Sequence, residues 1–285
     1  MSVDLQEAPV VATASRAIAY RTRGSSHGPI TRLVSPGDLG EWIKPFVFLD
    51  LFASDSPAAF RGFGMHPHSG IATLTYLIDG AISYEDTTGK SGALSAGSVE
   101  WMRAGNGVWH TGAPVGDAPS LGFQLWVALP PALENAPALS QYLAPHEIAQ
   151  AGPARVLLGS HGGVQSPIEA PSPMAYLAVQ LRDGERWRYE PPAGHTVAWV
   201  AVASGALDAG GPVGTGELAV FEESEAAIDF TARGDTHFVL GSAVKHPHEL
   251  VMGRYSVHTS RAALDQGEAE IRRIGMQLRD ARRLG

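Results

Sequence analysis

Three histidines set the chemical question in this chain. His66 and His68 stand one residue apart in FGMHPHSGIATLTYLIDG, and His110 follows in AGSVEWMRAGNGVWHTG. Residues at i and i+2 on a strand point to the same face. A third histidine arriving on a neighbouring strand completes a three-nitrogen face suited to a divalent metal. Three neutral imidazoles can hold Fe(II), Mn(II), Zn(II) or Ni(II). The chain has no cysteine, so disulfides and thiolate ligands are excluded. Any further ligand must come from Asp, Glu, His or water.

The elements that would hold these residues read as strands. Ile71–Ile78 is β-branched and aromatic and closes on Asp79-Gly80, a hairpin signal that sends Ala81–Asp86 back. Val99–Met102, Val108–His110 and Leu121–Leu129 follow, with turn residues between them. Before them, Ala17–Arg23 alternates as a first strand and the apolar run Pro45–Phe52 reads as a buried one. Short strands at such spacing mean an all-β sandwich or barrel. Residues 131–153, rich in Pro and Ala, read as a linker with one helical turn near Ala132–Leu139. A second strand series then runs to Leu240.

HTVAWVAVASGALDAGG … GTGELAVFEES echoes the first series. Anchoring Gly205 on Gly80 puts Pro191 and Ala193 where His66 and His68 stand. The expected divisions are 1–27, an arm with the first strand; 28–130, a barrel with the metal site; 131–153, the linker; 154–245, a second barrel; and 246–285, a closing segment. In that last segment Ser260 caps an amphipathic helix with Leu264, Ile271, Ile274, Leu278 and Ala281 near one face. Gly267 and Gly275 weaken this helix by about 1 kcal/mol each.

Composition narrows the function classes. At 285 residues, 44% hydrophobic and 18% charged, the chain can bury a large core. The net charge of −8 and the absence of a basic run ahead of the C-terminus give nucleic-acid binding no electrostatic support. No apolar run approaches the roughly 18 residues of a membrane span, and the N-terminus does not read as a signal peptide. A cytoplasmic protein is expected.

HPHSGIATLTYLIDG, SAGSVEWMRAGNGVWH, LGFQLWVALP and, more thinly, THFVLGSA resemble segments of the pirin family, a branch of the cupins. The resemblance implies two stacked cupin barrels, with iron in the N-terminal one and no metal in the other. It matches His66, His68 and His110 to that family's histidine ligands. Some members are similar to flavonol dioxygenases and others act as transcriptional co-regulators. The family's His-x-Glu at the second site is here His110-Thr111-Gly112. The Glu usual four residues after the second His is Ala72. By period 2 both Ala72 and Gly112 share a face with the histidines, so both inward carboxylates are expected to be missing.

Three imidazoles alone leave the site at +2, which favours an anionic ligand and removes a candidate general base. Glu100, where the family commonly has Gln, and Gln124, on a strand expected to cross the barrel, are the candidates to replace it. Alternation leaves the facing of Glu100 open. His246-Pro247-His248-Glu249 repeats the HPH pattern but reads as surface loop, and Trp101, Trp109 and Trp126 read as barrel core and rim. Three functions stay open: a metal-dependent oxygenase on a small aromatic or enol ligand, a regulatory module that binds a protein partner, and a metal-free cupin that binds a small molecule.

Overall fold

The structure is a computed structural model that describes residues 15–55 and 62–284. Most of the expected N-terminal arm, residues 1–14, lies outside the described residues. In chain order the elements are β1 (Ile18–Thr22), β2 (Ser25–His27), β3 (Ile30–Val34), α1 (Leu39–Ile43), β4 (Phe46–Ser54), β5 (Phe63–His68), β6 (Ile71–Asp79), β7 (Ala81–Asp86), β8 (Ser91–Ser95), β9 (Val99–Arg103), β10 (Val108–Pro114), β11 (Ser120–Ala128) and β12 (Leu139–Leu143). The second half adds β13 (Gln150–Ala151), β14 (Ala154–Leu158), β15 (Ser160–His161), β16 (Val164–Gln165), β17 (Met174–Leu181), β18 (Arg186–Tyr189), β19 (Val197–Asp208), β20 (Pro212–Gly214), β21 (Leu218–Phe221), β22 (Ile228–Ala243), β23 (Val251–Met252), β24 (Val257–His258) and α2 (Arg261–Asp280).

A seven-stranded sheet, β12-β9-β6-β11-β4-β3-β2, and a four-stranded sheet, β5-β10-β7-β8, form the first barrel. A nine-stranded sheet whose main path is β1-β21-β19-β22-β17-β14-β13 forms the second. The central strands of the seven-stranded sheet, β9, β6, β11 and β4, are buried on both faces, which is why β6, β11 and β4 read as near-continuous apolar runs. Leu74, Tyr76, Trp101, Phe123 and Leu125 point away from the first barrel's interior. They join Tyr176, Trp199 and Val239 of the second barrel in one core. Phe46 meets Trp199 edge-on at 5.4 Å. The second barrel's own interior is filled by side chains such as Tyr189, Leu207, Phe230 and Phe238.

Four features differ from the expectation. The first strand, β1, pairs with β21 in the second barrel. The expected linker contributes a strand, β12, that pairs with β9 and extends the first barrel's sheet, so it is not merely a connection. The end of the second series, expected as separate short strands Ala227–Phe230 and Thr236–Leu240, is the single strand β22. His246, expected at the surface, is buried, and its backbone N–H donates to the Lys44 carbonyl at 3.1 Å.

The chain after the second barrel therefore returns to the first. Leu250 and Val257 pack with Val47, Ile71, Met102 and Val108, and Ser69 bridges Ser256. Helix α2 follows, capped by Ser260 Oγ, which accepts from Ala263 N–H. Its buried face is Leu264, Gly267, Ile271, Gly275 and Leu278, while Ala281 is exposed. The two glycines are contact points. A Cβ on Gly267 would lie 2.6 Å from Ser69 Oγ and 2.7 Å from His258 Nε2, and one on Gly275 would lie 2.7 Å from Trp109 Cζ2. Trp109 Nε1–H also donates to the Ile271 carbonyl at 2.8 Å. Among the described residues no helix is long and apolar enough to cross a membrane.

Two predictions follow from this packing. Gly267→Ala gains helix propensity of about 1 kcal/mol but overpacks the Ser69–His258 contact, which costs about 1–3 kcal/mol. Urea unfolding should therefore show no gain and a net loss of up to about 2 kcal/mol; a stabilised variant would refute this packing. The second prediction concerns pH. Burial, with nearby Arg155, lowers His237 to about 4. Burial, with His248 and Lys44, lowers His246 to about 4. An unfolded histidine titrates near 6.5. Between about 6.5 and about 4 the unfolded chain binds more protons, so stability is full above that window and falls as pH drops through it. The urea midpoint of metal-free protein should be lower at pH 5 than at pH 7.5, and an unchanged or rising midpoint would contradict the burial of these rings.

Candidate metal centre

Strands β5 and β10 pair antiparallel, with His110 directly opposite His66 and Val108 opposite His68. This register sets the three imidazoles together. Their ring centroids lie 4.4 to 5.1 Å apart, and one ligand nitrogen from each falls within 4.8 Å of the others. Among the described residues this is the group of His, Cys, Asp and Glu whose spacing fits a metal ion.

Each ring is held from behind. His66 Nδ1 lies 2.7 Å from the Gly64 carbonyl, and His68 Nδ1 lies 3.0 Å from the Tyr255 carbonyl. A carbonyl can only accept, so both Nδ1 atoms carry the hydrogen and both Nε2 atoms keep a lone pair. His110 Nδ1 faces Glu100 Oε1 at 3.4 Å, and its buried Nε2 has no partner. Backing of Nδ1 by a carbonyl or carboxylate is the usual support for a metal-binding imidazole. Burial, reinforced by His110, lowers His66 to about 4, and burial holds His68 well below the ordinary value. These two rings are neutral at pH 7, as ligation needs. The orphaned Nε2 and the neutral nitrogen donors fit a divalent cation.

A cavity of about 290 Å³ opens beside the histidines. Its polar wall is one line of the seven-stranded sheet. Glu100, Thr75, Gln124, Asp50 and Arg32 stand opposite one another in turn on β9, β6, β11, β4 and β3. Thr75 Oγ1 lies 2.6 Å from Glu100 Oε2 and 2.8 Å from Gln124 Oε1. Arg32 forks onto Asp50 through two nitrogens and lies over the Phe48 ring, 3.9 Å from its centroid. Two residue pairs further along, on the same face, Phe48 and Trp126 stack at 4.1 Å and 7°, and Trp126 meets His68 edge-on at 4.8 Å. Phe52, Phe63 and Tyr84 add apolar lining.

Burial acts to raise the Glu100 carboxyl. The hydrogen bonds and charge of His110 and the Thr75 hydroxyl outweigh it and hold the group below the usual range. For Asp50 burial wins over Arg32, and that carboxyl is raised.

The two small residues expected in place of carboxylates have different fates. Gly112 lines the cavity, opposite Phe63 and Tyr84. Ala72 does not; it faces the core shared by the two barrels with Leu74 and Tyr76. The period-2 count from His68 to Ala72 fails because the chain changes sheet between them. The corner is Ser69-Gly70, where Gly70 has φ +73° and a Cβ would lie 2.1 Å from the Val257 carbonyl. Alternation restarts in β6, and Thr73 and Thr75 take the inward face. Glu100, whose facing was open, points inward. Gln124 does too, and Trp126, expected at core or rim, is a wall of the cavity.

Sequence reasoning missed Tyr255 and Arg254, which enter the cavity from the closing segment, and Arg32 and Asp50 from β3 and β4. Tyr255 contributes a backbone carbonyl, which leaves no residue-type signal. The Arg32–Asp50 pairing carries a signal, a single charged residue in each of two otherwise uncharged strands.

Comparison with known proteins agrees with this geometry. The pirin family profile matches residues 30–127. Over 253 residues the chain is 32% identical to a Pseudomonas aeruginosa protein named "Putative quercetin 2,3-dioxygenase PA2418", covering 84% of this chain and 88% of that one. It is 30% identical to rat pirin over 187 residues, 64% of this chain and 60% of the relative. Among solved structures, an Acinetobacter baumannii quercetin 2,3-dioxygenase superposes with a TM-score of 0.83 at 23% identity, over 91% of this chain and 98% of the other. The Escherichia coli pirin YhhW, solved with nickel(II), gives 0.63 at 19% identity, over 81% and 98%. With its two barrels, its His-x-His and His110 on paired strands and these relatives, the chain belongs to the pirin family.

Proposed function

We propose that the first barrel binds a divalent metal through His66, His68 and His110, with iron the foremost candidate, and acts as a quercetin 2,3-dioxygenase-like oxidoreductase on a small planar aromatic. The observation that carries the metal reading is the hydrogen-bond polarity of the three rings. All three Nδ1 atoms face acceptors, and the buried Nε2 of His110 has no partner. The names of the relatives support the reaction class.

A bound metal of this kind supplies a Lewis acid for a substrate oxygen and, when redox-active, a site for O2 chemistry. The chain's residues supply the rest. The Phe48–Trp126 stack offers a flat wall next to His68, against which a ring can lie. The apolar lining around it excludes water from that face. Arg32 is engaged by Asp50, and Glu100 by His110 and Thr75, so the cavity's two carboxylates both have partners in the absence of ligand. Arg254, exposed and stacked over Tyr255, stands at the cavity and suits a substrate that carries negative charge.

Protein expressed in iron-supplemented medium should carry close to one metal per chain by elemental analysis, and His66→Ala should lose at least nine-tenths of it. Metal-replete protein should consume O2 with quercetin or a related flavonol, and His66→Ala should not. Metal retained by His66→Ala would refute the site. A replete protein inert across a flavonol panel would refute the substrate class. Trp126→Ala should keep its metal while its KM for the ring substrate rises about tenfold, the loss of an aromatic wall worth roughly 1.4 kcal/mol; an unchanged KM would place the ring elsewhere.

A further inference from the structure

We propose that Glu100 is a positioning residue for this centre and stands in for the carboxylate the chain lacks at position 112: it orients His110 and supplies, through that ring, the negative charge that balances the bound cation. This rests on the metal reading above, but it arises from a different observation, the polar line across the seven-stranded sheet.

A carboxylate only accepts, and a hydroxyl has one hydrogen to give. Glu100 Oε2, 2.6 Å from Thr75 Oγ1, must accept the Thr75 hydrogen. Thr75 Oγ1 then has only lone pairs left for Gln124, 2.8 Å away. The Gln124 amide must therefore present its nitrogen to Thr75. The opposite orientation asks one hydroxyl hydrogen to serve two acceptors and leaves the amide nitrogen buried with no partner. With the amide turned, each contact along the line has one donor and one acceptor: Gln124 donates to Thr75, Thr75 to Glu100, and His110 Nδ1–H to Glu100 Oε1. The line ends on His110, whose Nε2 is the orphaned atom of the site.

Charge points the same way. Glu100 is 6% exposed. Asp50, on the same line, is matched by Arg32, but the only ionisable side chain recorded within salt-bridge distance of Glu100, among the described residues, is His110. A buried carboxylate without a countercharge is costly. A divalent cation on the far nitrogen of His110 provides that countercharge, and three neutral imidazoles need one in return. Glu100 is not itself in the group whose ligand atoms meet. Its action is relayed through the imidazole, as in carboxylate–histidine–metal arrangements.

Glu100→Gln keeps the shape and an acceptor for His110 while removing the charge. In metal-free protein loaded with Co(II) or Zn(II), this variant should bind 10- to 100-fold more weakly and shift the Co(II) visible absorption, with the unfolding midpoint retained. Adding Gly112→Glu to it should recover most of the affinity. The backbone there is not left-handed, and a Cβ meets only Ile82 Cγ2 and the Ser83 carbonyl at 3.4 Å. Affinity within threefold of wild type and an unchanged spectrum in Glu100→Gln would overturn the proposal. So would a weakened variant that Gly112→Glu does not rescue. If wild type and His66→Ala bind Co(II) alike, the metal reading fails. The orientation of His110 is then judged by ¹⁵N shifts of metal-free protein. A hydrogen on Nδ1 in wild type that is redistributed in Glu100→Leu supports positioning by Glu100; a hydrogen on Nε2 in wild type refutes it.

Discussion

The register of the seven-stranded sheet is the constraint on which both barrels depend. Its central strands, β9, β6, β11 and β4, have no solvent face to spare. One set of alternate residues, among them Leu74, Trp101, Phe123 and Leu125, packs on the second barrel. The other set, Thr75, Glu100, Gln124 and Asp50, lines the first barrel's cavity. A slip of one residue in any strand would drive a polar group into the shared core and an apolar one into the cavity. The shared core thus fixes the order of the polar line as firmly as the line's own hydrogen bonds do. In this view the second barrel, its interior filled by its own side chains, is the rigid backing of the first barrel's wall.

The histidines stand on the other sheet, and the chain's last segment ties the two together. β5 meets β10, the Tyr255 carbonyl fixes the His68 ring, and Ser69 is held by Ser256 and His258. Helix α2 closes over this corner where two glycines let it approach Ser69 and Trp109. The glycines lower the helix's own propensity, and the tertiary contact they permit outweighs that loss. Most helical stability in proteins comes from such packing.

How much of this was legible in the sequence depends on the range of each signal. The histidine triad was, because i and i+2 on one strand is a local rule and the motif around it is specific. The all-β class and the C-terminal helix were legible for the same reason: period and capping are local. Ala72 faces the shared core and not the cavity because the chain leaves one sheet for the other at Ser69-Gly70, and periodicity holds only within an element. The linker hid β12 and β13, since Pro and Ala dominate its composition while only Leu139–Leu143 and Gln150–Ala151 pair. Tyr255 was invisible because its contribution is a main-chain oxygen.

Glu100 shows where sequence and structure must be read together. From the strand alone its facing was undetermined, and the loss of a carboxylate at Gly112 read as a site reduced to three neutral nitrogens. The sheet register changes that reading. A carboxylate is present after all, on the other sheet of the barrel, accepting from the far side of the third histidine. On the proposed metal reading, the charge moves from the ligand set to a neighbour of His110, and a cation held by the three histidines would still feel the field of a carboxylate through that ring. Gly112, with no side chain, would leave room beside it for a substrate oxygen.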